Sequence, residues 1–219
     1  MNTTKAYKGL PMEGVIASWY AKTTLKDLKR HQGMALQMSA KIPANGKVLE
    51  IAPGPGYFCI ELAKLGDYQV TGLDISKSFV EIAHRNAAEA GRKIDFREGN
   101  ASAMPFPENT FDFTFCQAAF KNFSEPVRAI AEMHRVLRPG GISVISDLRR
   151  DASAAEIERE IQGMGMGPLN RFLVRWTFRN MLLKSAYSVD EMRRMVAQTP
   201  FGRCEITLDG VGFQVWLKK

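Results

Sequence analysis

Hydrophobic and polar positions alternate between two periods along the middle of the chain. Short apolar runs at Lys47–Ala52, Tyr68–Asp74, Lys93–Glu98, Phe111–Gln117 and Ile142–Asp147, each bounded by turn-forming residues, predict strands. Between them, apolar residues spaced by three and four predict helices from about Gly56 to Leu65, over Ser76–Ala90 and over Ser124–Leu137. Repeated strand-helix-strand units imply an α/β fold: a parallel sheet with right-handed crossovers and helices on both faces. "RPGG" after Leu137 reads as a helix stop and turn that launches the next strand. The tail, "RCEITLDGVGFQVWLKK", holds two β-rich runs around Asp209-Gly210, so the sheet should end in an antiparallel hairpin.

These patterns divide the chain into a helical N-terminal lid at 1–46, a strand-helix core at 47–150, an insertion at 151–187, and a last helix and hairpin at 188–219 that complete the sheet. All four belong to one domain. The insertion is rich in Met, Gly, Arg and aromatic residues and has no strand of its own.

Charge alters this picture in one place. The formal net charge is +7. The first stretch carries Lys5, Lys8, Lys22, Lys26, Lys29, Arg30, Lys41 and Lys47 against Glu13 and Asp27. Such a segment suits an anionic substrate, an acidic membrane surface or RNA, although solvated lysines on a helix face are the commoner cause. Stable membrane insertion is not expected, because no apolar run is long enough, and peripheral contact stays open. The N-terminus has no signal-like apolar region, so the cytoplasm is the expected location. Cys59, Cys116 and Cys204 lack metal-site or disulfide spacing and read as core residues, with no metal expected.

Chemistry is suggested by "VLEIAPGPG". A strand that breaks into glycines and feeds a helix N-terminus lets a ligand approach the backbone and meet unpaired N–H groups. The pyrophosphate fingerprint of a dinucleotide fold is incomplete, because Cys59 stands where its third glycine would be. The acidic residue that takes ribose hydroxyls is present as Asp74 in "VTGLDIS".

With "GNASAMPFPENTFDFTFCQAAF" and "EMHRVLRPGG", these motifs resemble, in order and spacing, the class I S-adenosylmethionine (SAM)-dependent methyltransferases. The resemblance is strongest to the small-molecule branch that includes the ubiquinone and menaquinone biosynthesis enzymes. It implies a Rossmann-like, mostly parallel seven-stranded sheet, SAM as cofactor and S-adenosylhomocysteine (SAH) as product. Glu50 and the turn Ala52, Gly54, Gly56 would hold the methionine moiety, Asp74 the ribose and Ile75 the adenine face. Asn100 and Ala101 stand where the family has Asp and a small residue at the adenine edge, and Gln117 stands where the family places a residue beside the reactive methyl. Ala52 departs from the family by replacing its first glycine.

Methyl transfer from a sulfonium needs alignment more than acid-base work. Tyr20 resembles a Tyr that related enzymes place near SAM and is the candidate catalytic and acceptor-site residue, and His31 is a candidate base; both also read as packing residues. His84 and His134 receive no role. In the insertion, Arg171, Arg175 and Arg179 form a basic ridge, with Phe172, Trp176 and Leu183 on the neighbouring face. Arg171, Arg175 and Trp176 are the candidate acceptor contacts, against the plainer reading of a solvated ridge. Met164 and Met166 mark an adaptable Gly-rich loop.

The expectation is methyl transfer to a small-molecule acceptor, with no nucleic-acid partner and the oligomeric state open. "CQAAF" differs from the motif of base-amine methyltransferases. Alternatives are a SAM-binding protein without turnover, a membrane-associated lipid or quinone methyltransferase, and a nicotinamide-dependent oxidoreductase.

Overall fold

In the computed structural model of the protein, which describes residues 7–8, 12–163, 168–177 and 182–219, a seven-stranded sheet runs through the centre of the chain. The strands are β1 (Lys47–Ile51), β2 (Gln69–Asp74), β3 (Asp95–Glu98), β4 (Phe111–Gln117), β5 (Leu137–Leu148), β6 (Glu205–Asp209) and β7 (Gly212–Lys218). Their spatial order is β3-β2-β1-β4-β5-β7-β6. The first five pair in parallel, and β7 lies antiparallel between β5 and β6. The hairpin turns at Gly210, whose φ of +53° suits glycine.

The period-two pattern explains the two-sided core. Leu49 and Ile51 of β1 join one apolar cluster with Ile130, Met133 and Val215. Val48 joins the other with Phe113 and Phe115 of β4. Glu50, paired in register with Phe115, therefore points a carboxylate toward the second cluster, the face that Phe58 and Cys59 cover.

Helices α1 (Gly14–Thr24) and α2 (Leu28–Ser39), joined by a 3-10 turn at Leu25–Asp27, precede the sheet. Between strands lie α3 (Tyr57–Ala63), α4 (Lys77–Glu89) and α5 (Pro126–Val136). The insertion forms α6 (Ala154–Gly163), α7 (Pro168–Thr177) and the short α8 (Leu183–Ser185), and α9 (Val189–Ala197) leads into the hairpin. Ile157, Ile161 and Leu183 make a separate small core with Val211 and Leu148, so the insertion caps the end of β5 beside the hairpin turn. No strand occurs among its described residues.

One local expectation changes. α5 does stop before Leu137, but "RPGG" is not a free turn: it enters β5 as an irregularity. Phe111 pairs with Leu137 and Phe113 with Ile142, so the extra residues bulge from the ladder. Gly140 at φ +82° takes the bend, and a Cβ on Gly141 would sit 2.9 Å from Arg138 O.

Candidate functional site

The strand order reverses between β1 and β4, since β1 continues to β2 on one side and β4 to β5 on the other. Open α/β sheets bind ligands in the crevice at the carboxyl ends of such a pair. Here those ends are Ala52 and Gln117–Ala118. Both alanines adopt left-handed backbone, φ +57° at Ala52 and +56° at Ala118. Each costs roughly 1 kcal/mol or more, and strain of this kind collects at functional sites. Gly54 and Gly56 follow at φ +54° and +79°. A Cβ on Gly56 would meet Phe96 at 2.8 Å, whereas one on Gly54 would meet nothing within 4 Å. Gly56 serves packing, then, and Gly54 borders open space.

Asp74 ends β2 beside this loop. Its Oδ2 accepts from Gly54 N and its Oδ1 from Ser76 N, both at 2.9 Å, with 5% of the residue exposed. A carboxylate offers about four lone-pair sites, so each oxygen can still accept one hydroxyl. Burial outweighs the two N–H donors and pushes the Asp74 carboxyl up to about 6. The next side chain, Ile75, is 42% exposed, an apolar face left open at the rim.

Glu50 is buried behind the loop, and Cys59 Sγ donates to its Oε2 at 2.9 Å. Burial raises the Glu50 carboxyl to about 7 and the Cys59 thiol well above its ordinary value. A cation placed beside Glu50 would favour its ionised form. Gln117 Oε1 is buried and has no hydrogen-bond partner, an acceptor awaiting a donor.

Asn100, the candidate for the adenine edge, has a structural role as well. Its Oδ1 already accepts from Ser102 N at 2.9 Å and its main-chain O accepts from Ala103 N at 3.0 Å, so it closes a tight turn. The second lone pair of Oδ1 remains to be shared. Ala101 is half-buried and packs on the core beneath.

Above the sheet ends lie residues that the sequence pattern did not single out. Tyr7 bridges to Phe123, Lys8 N donates to Asn122 O at 2.9 Å, and Lys8 Nζ meets Tyr187 Oη at 2.6 Å. The Tyr7 phenol is held protonated by burial, reinforced by Tyr20, Asp74 and Asp147. Tyr20 is likewise raised by burial first, then by Asp27; its ring meets Phe79 edge-on at 5.8 Å. Two neutral phenols thus come within electrostatic reach of both Asp147 and each other. Nothing in the spacing of Tyr7 marks it. Asp147, in contrast, obeys the same rule as Asp74, an acid at the carboxyl end of a strand.

Asp147 is joined to Lys121 in a buried ion pair of 2.8 Å, and Lys121 Nζ also donates to Ala118 O at 2.8 Å. The pair ties the end of β5 to the strained turn after Gln117.

His31 is half-buried on α2, with its ring 5.7 Å from Tyr57 and Nδ1 lacking a partner. Burial lowers its pKa, so it stands as a neutral imidazole beside the start of α3. Arg175 directs Nε and a terminal nitrogen to Glu158 Oε2 at 3.0 and 2.6 Å, which fixes α7 to α6. Arg171 is half-buried on the same helix, and Trp176 is 55% exposed. Arg179, Met164 and Met166 and the side chain of Phe172 lie outside the described residues.

The family profile described as "Methyltransferase domain" matches residues 49–145, from β1 into β5. This segment is thus similar to methyltransferase domains. A demethylmenaquinone methyltransferase of Deinococcus radiodurans is 35% identical over 108 residues, covering 49% of this chain and 45% of that one. The match thus spans about half the length of that relative. The crystal structure of a SAM-dependent methyltransferase from Aquifex aeolicus superposes with a TM-score of 0.64 at 20% identity, covering 90% and 88% of the two chains. The [4+2]-cyclase SpnF shares the fold at a TM-score of 0.57 and 19% identity, covering 86% and 80%. Fold alone therefore does not decide the reaction. The open side of Gly54, the remaining lone pairs of Asp74 and the unpartnered Gln117 oxygen fit SAM, the cofactor that the resemblance implies.

Proposed function

We propose that this chain transfers the methyl group of SAM to a small-molecule acceptor of the quinol or phenol kind. The observation that carries the reading is Asp74: a buried carboxylate, aimed by two backbone N–H groups, with acceptor capacity for two ribose hydroxyls at the mouth of an open glycine loop. The similarity to a demethylmenaquinone methyltransferase supports the acceptor class.

SAM brings a methyl already activated by the sulfonium charge, so the protein's work is alignment and exclusion of water. Glu50 balances the charge of the methionine ammonium. Ile75 packs on the adenine, and Asn100 and Ala101 line its edge. Gln117 accepts a hydrogen bond close to the reacting centre, with the Lys121–Asp147 pair holding the turn that aims it. Tyr20 and Tyr7 cover the site as neutral phenols and position the acceptor through their hydroxyls. A base is required only for an acceptor that arrives protonated. His31 is neutral and chemically able to serve. Arg171 and Trp176 line the acceptor side from α7, and Arg175 is chiefly a strut to Glu158.

The competing reading, SAM binding without turnover, is separated by product. Incubation with SAM and a panel of quinols, phenols, amines and thiols should yield SAH with a quinol or phenol, and Asp74→Ala should lower that yield at subsaturating SAM. SAM binding with no SAH from any acceptor would favour the binder.

A further inference from the structure

α1 turns a small face of Ala17 and Ala21, flanked by the half-buried Tyr20 and Met12, onto Phe79 and Ile82 of α4. At about 100° per residue the opposite face carries Val15, Trp19 and Lys22, and leads to Lys26 on the following 3-10 turn. That face is left bare: Val15 is 85% exposed, Trp19 64% and Ile16, at its flank, 47%. Lys22, Lys26, Lys29 and Arg30 are all exposed, and Asp27 is the single acid between Gly14 and Arg30. The nearest other acid, Glu13, accepts from Ser78 N at 3.1 Å and is occupied at the start of α4.

The apolar tip sits at the rim of the cofactor site. Ser76 Oγ donates to Met12 O at 2.6 Å, and Gly14 N donates to Ser78 Oγ at 2.9 Å. The start of α1 is thereby fixed two residues beyond Asp74, next to the exposed Ile75.

We propose that this face is a docking surface for an anionic phospholipid bilayer. Val15, Ile16 and Trp19 enter the boundary between headgroups and acyl chains, while Lys22, Lys26, Lys29 and Arg30 engage lipid phosphates. Val15, Trp19 and Lys22 recur at helical spacing on one face of α1, so the apolar side chains and the basic residue can meet the same surface. Tryptophan favours that boundary, and each basic residue near an anionic surface adds attraction. Charge complementarity alone would also suit nucleic acid, but Val15 and Ile16 gain nothing against a phosphate backbone. Three apolar side chains on one helix are also far fewer than the about 20–30 residues per side of a standard protein interface. No helix among the described residues is long and apolar enough to cross a membrane, so the contact is a surface one. The docking does not depend on the methyl-transfer reading; its consequence does, since it would bring the rim of the site to the membrane and let a lipophilic acceptor enter from the bilayer.

The test is sedimentation of the 219-residue chain with sucrose-loaded vesicles, phosphatidylcholine alone against equal parts phosphatidylcholine and phosphatidylglycerol, at low and high salt. Partition onto the mixed vesicles is expected, about tenfold or more weaker on phosphatidylcholine alone or in high salt. Val15→Asp with Trp19→Asp should lose binding by a similar factor, and Lys22→Glu with Lys26→Glu should lose the preference for anionic lipid. All four positions are exposed, so melting temperature and calorimetric SAM affinity should stay at wild-type values. Absence of wild-type partition onto the mixed vesicles, or wild-type partition by both variants, overturns the proposal. So does a wild-type dimer in gel filtration that Trp19→Asp dissolves while vesicles fail to bind, which would make the face a contact between copies. Loss of SAM binding with lipid binding intact would strike the cofactor reading and leave the docking surface standing.

Discussion

Cys59 donates its thiol hydrogen to Glu50 across 2.9 Å inside the core, and the carboxyl that receives it is raised by burial to about 7. Glu50 is therefore protonated in the fold at pH values where it is ionised in the unfolded chain. Between about pH 4.5 and 7 the native state binds the extra proton, so this group's contribution to stability falls as pH rises, by about 1.4 kcal/mol per unit. Paired carboxylates such as the half-buried Glu132, lowered by Arg135, act in the opposite sense at lower pH. The comparison with Glu50→Gln isolates the buried group. In urea denaturation without cofactor, the stability of wild type relative to Glu50→Gln should decline by up to about 3 kcal/mol across that window. A constant difference would show that Glu50 is ionised throughout.

Ala52 holds φ +57° where the family has its first glycine. Ala52→Gly relieves the strain but loosens the unfolded chain, and the net should stabilise the protein by about 0.5–1 kcal/mol. Chemical denaturation gives the sign directly; destabilisation would mean that the Ala52 methyl contributes more through its packing than the backbone loses.

Asn100 keeps its turn through Ser102 N. Asn100→Asp preserves that acceptor and adds a charge for the adenine amine, so SAM affinity should rise severalfold, about 1 kcal/mol. Unchanged affinity in a folded variant would remove Asn100 from the adenine edge.

Lys121 and Asp147 are 11% and 2% exposed at their side chains. Lys121→Met leaves the buried carboxylate without its counter-charge and frees Ala118 O, which should cost about 3–5 kcal/mol of stability. Replacing both, Lys121→Met with Asp147→Asn, should recover part of that loss. Thermal denaturation of the single and double variants measures it, and a single-variant loss below about 1 kcal/mol would show the pair to be screened by solvent.

The sheet was readable because its central strands, β1 and β4, are buried on both faces and read as short, nearly continuous apolar runs; Phe111–Gln117 has the same limits in the sequence and in the structure. "RPGG" misled because a Pro-Gly pair signals a turn in isolation, while pairing with β4 draws it into a strand. Glu50, Gly54 and Asp74 were legible because they are consecutive with strand ends. Tyr7, Lys121 and Cys59 were not, since their roles arise from contacts across 116, 26 and 9 residues that no periodicity encodes. Arg175 was a candidate acceptor contact because helix spacing reveals a ridge but not its partner, Glu158.

The central claim is that the loop at Gly54 and the carboxylate of Asp74 hold SAM. Calorimetric titration of the wild-type protein and Asp74→Ala with SAM, SAH, NAD and NADP tests it most directly. The account predicts binding of SAM and SAH alone, weakened by about 1–3 kcal/mol in a folded Asp74→Ala protein. Binding of a nicotinamide dinucleotide in place of SAM, or equal SAM affinity in the variant, would contradict it.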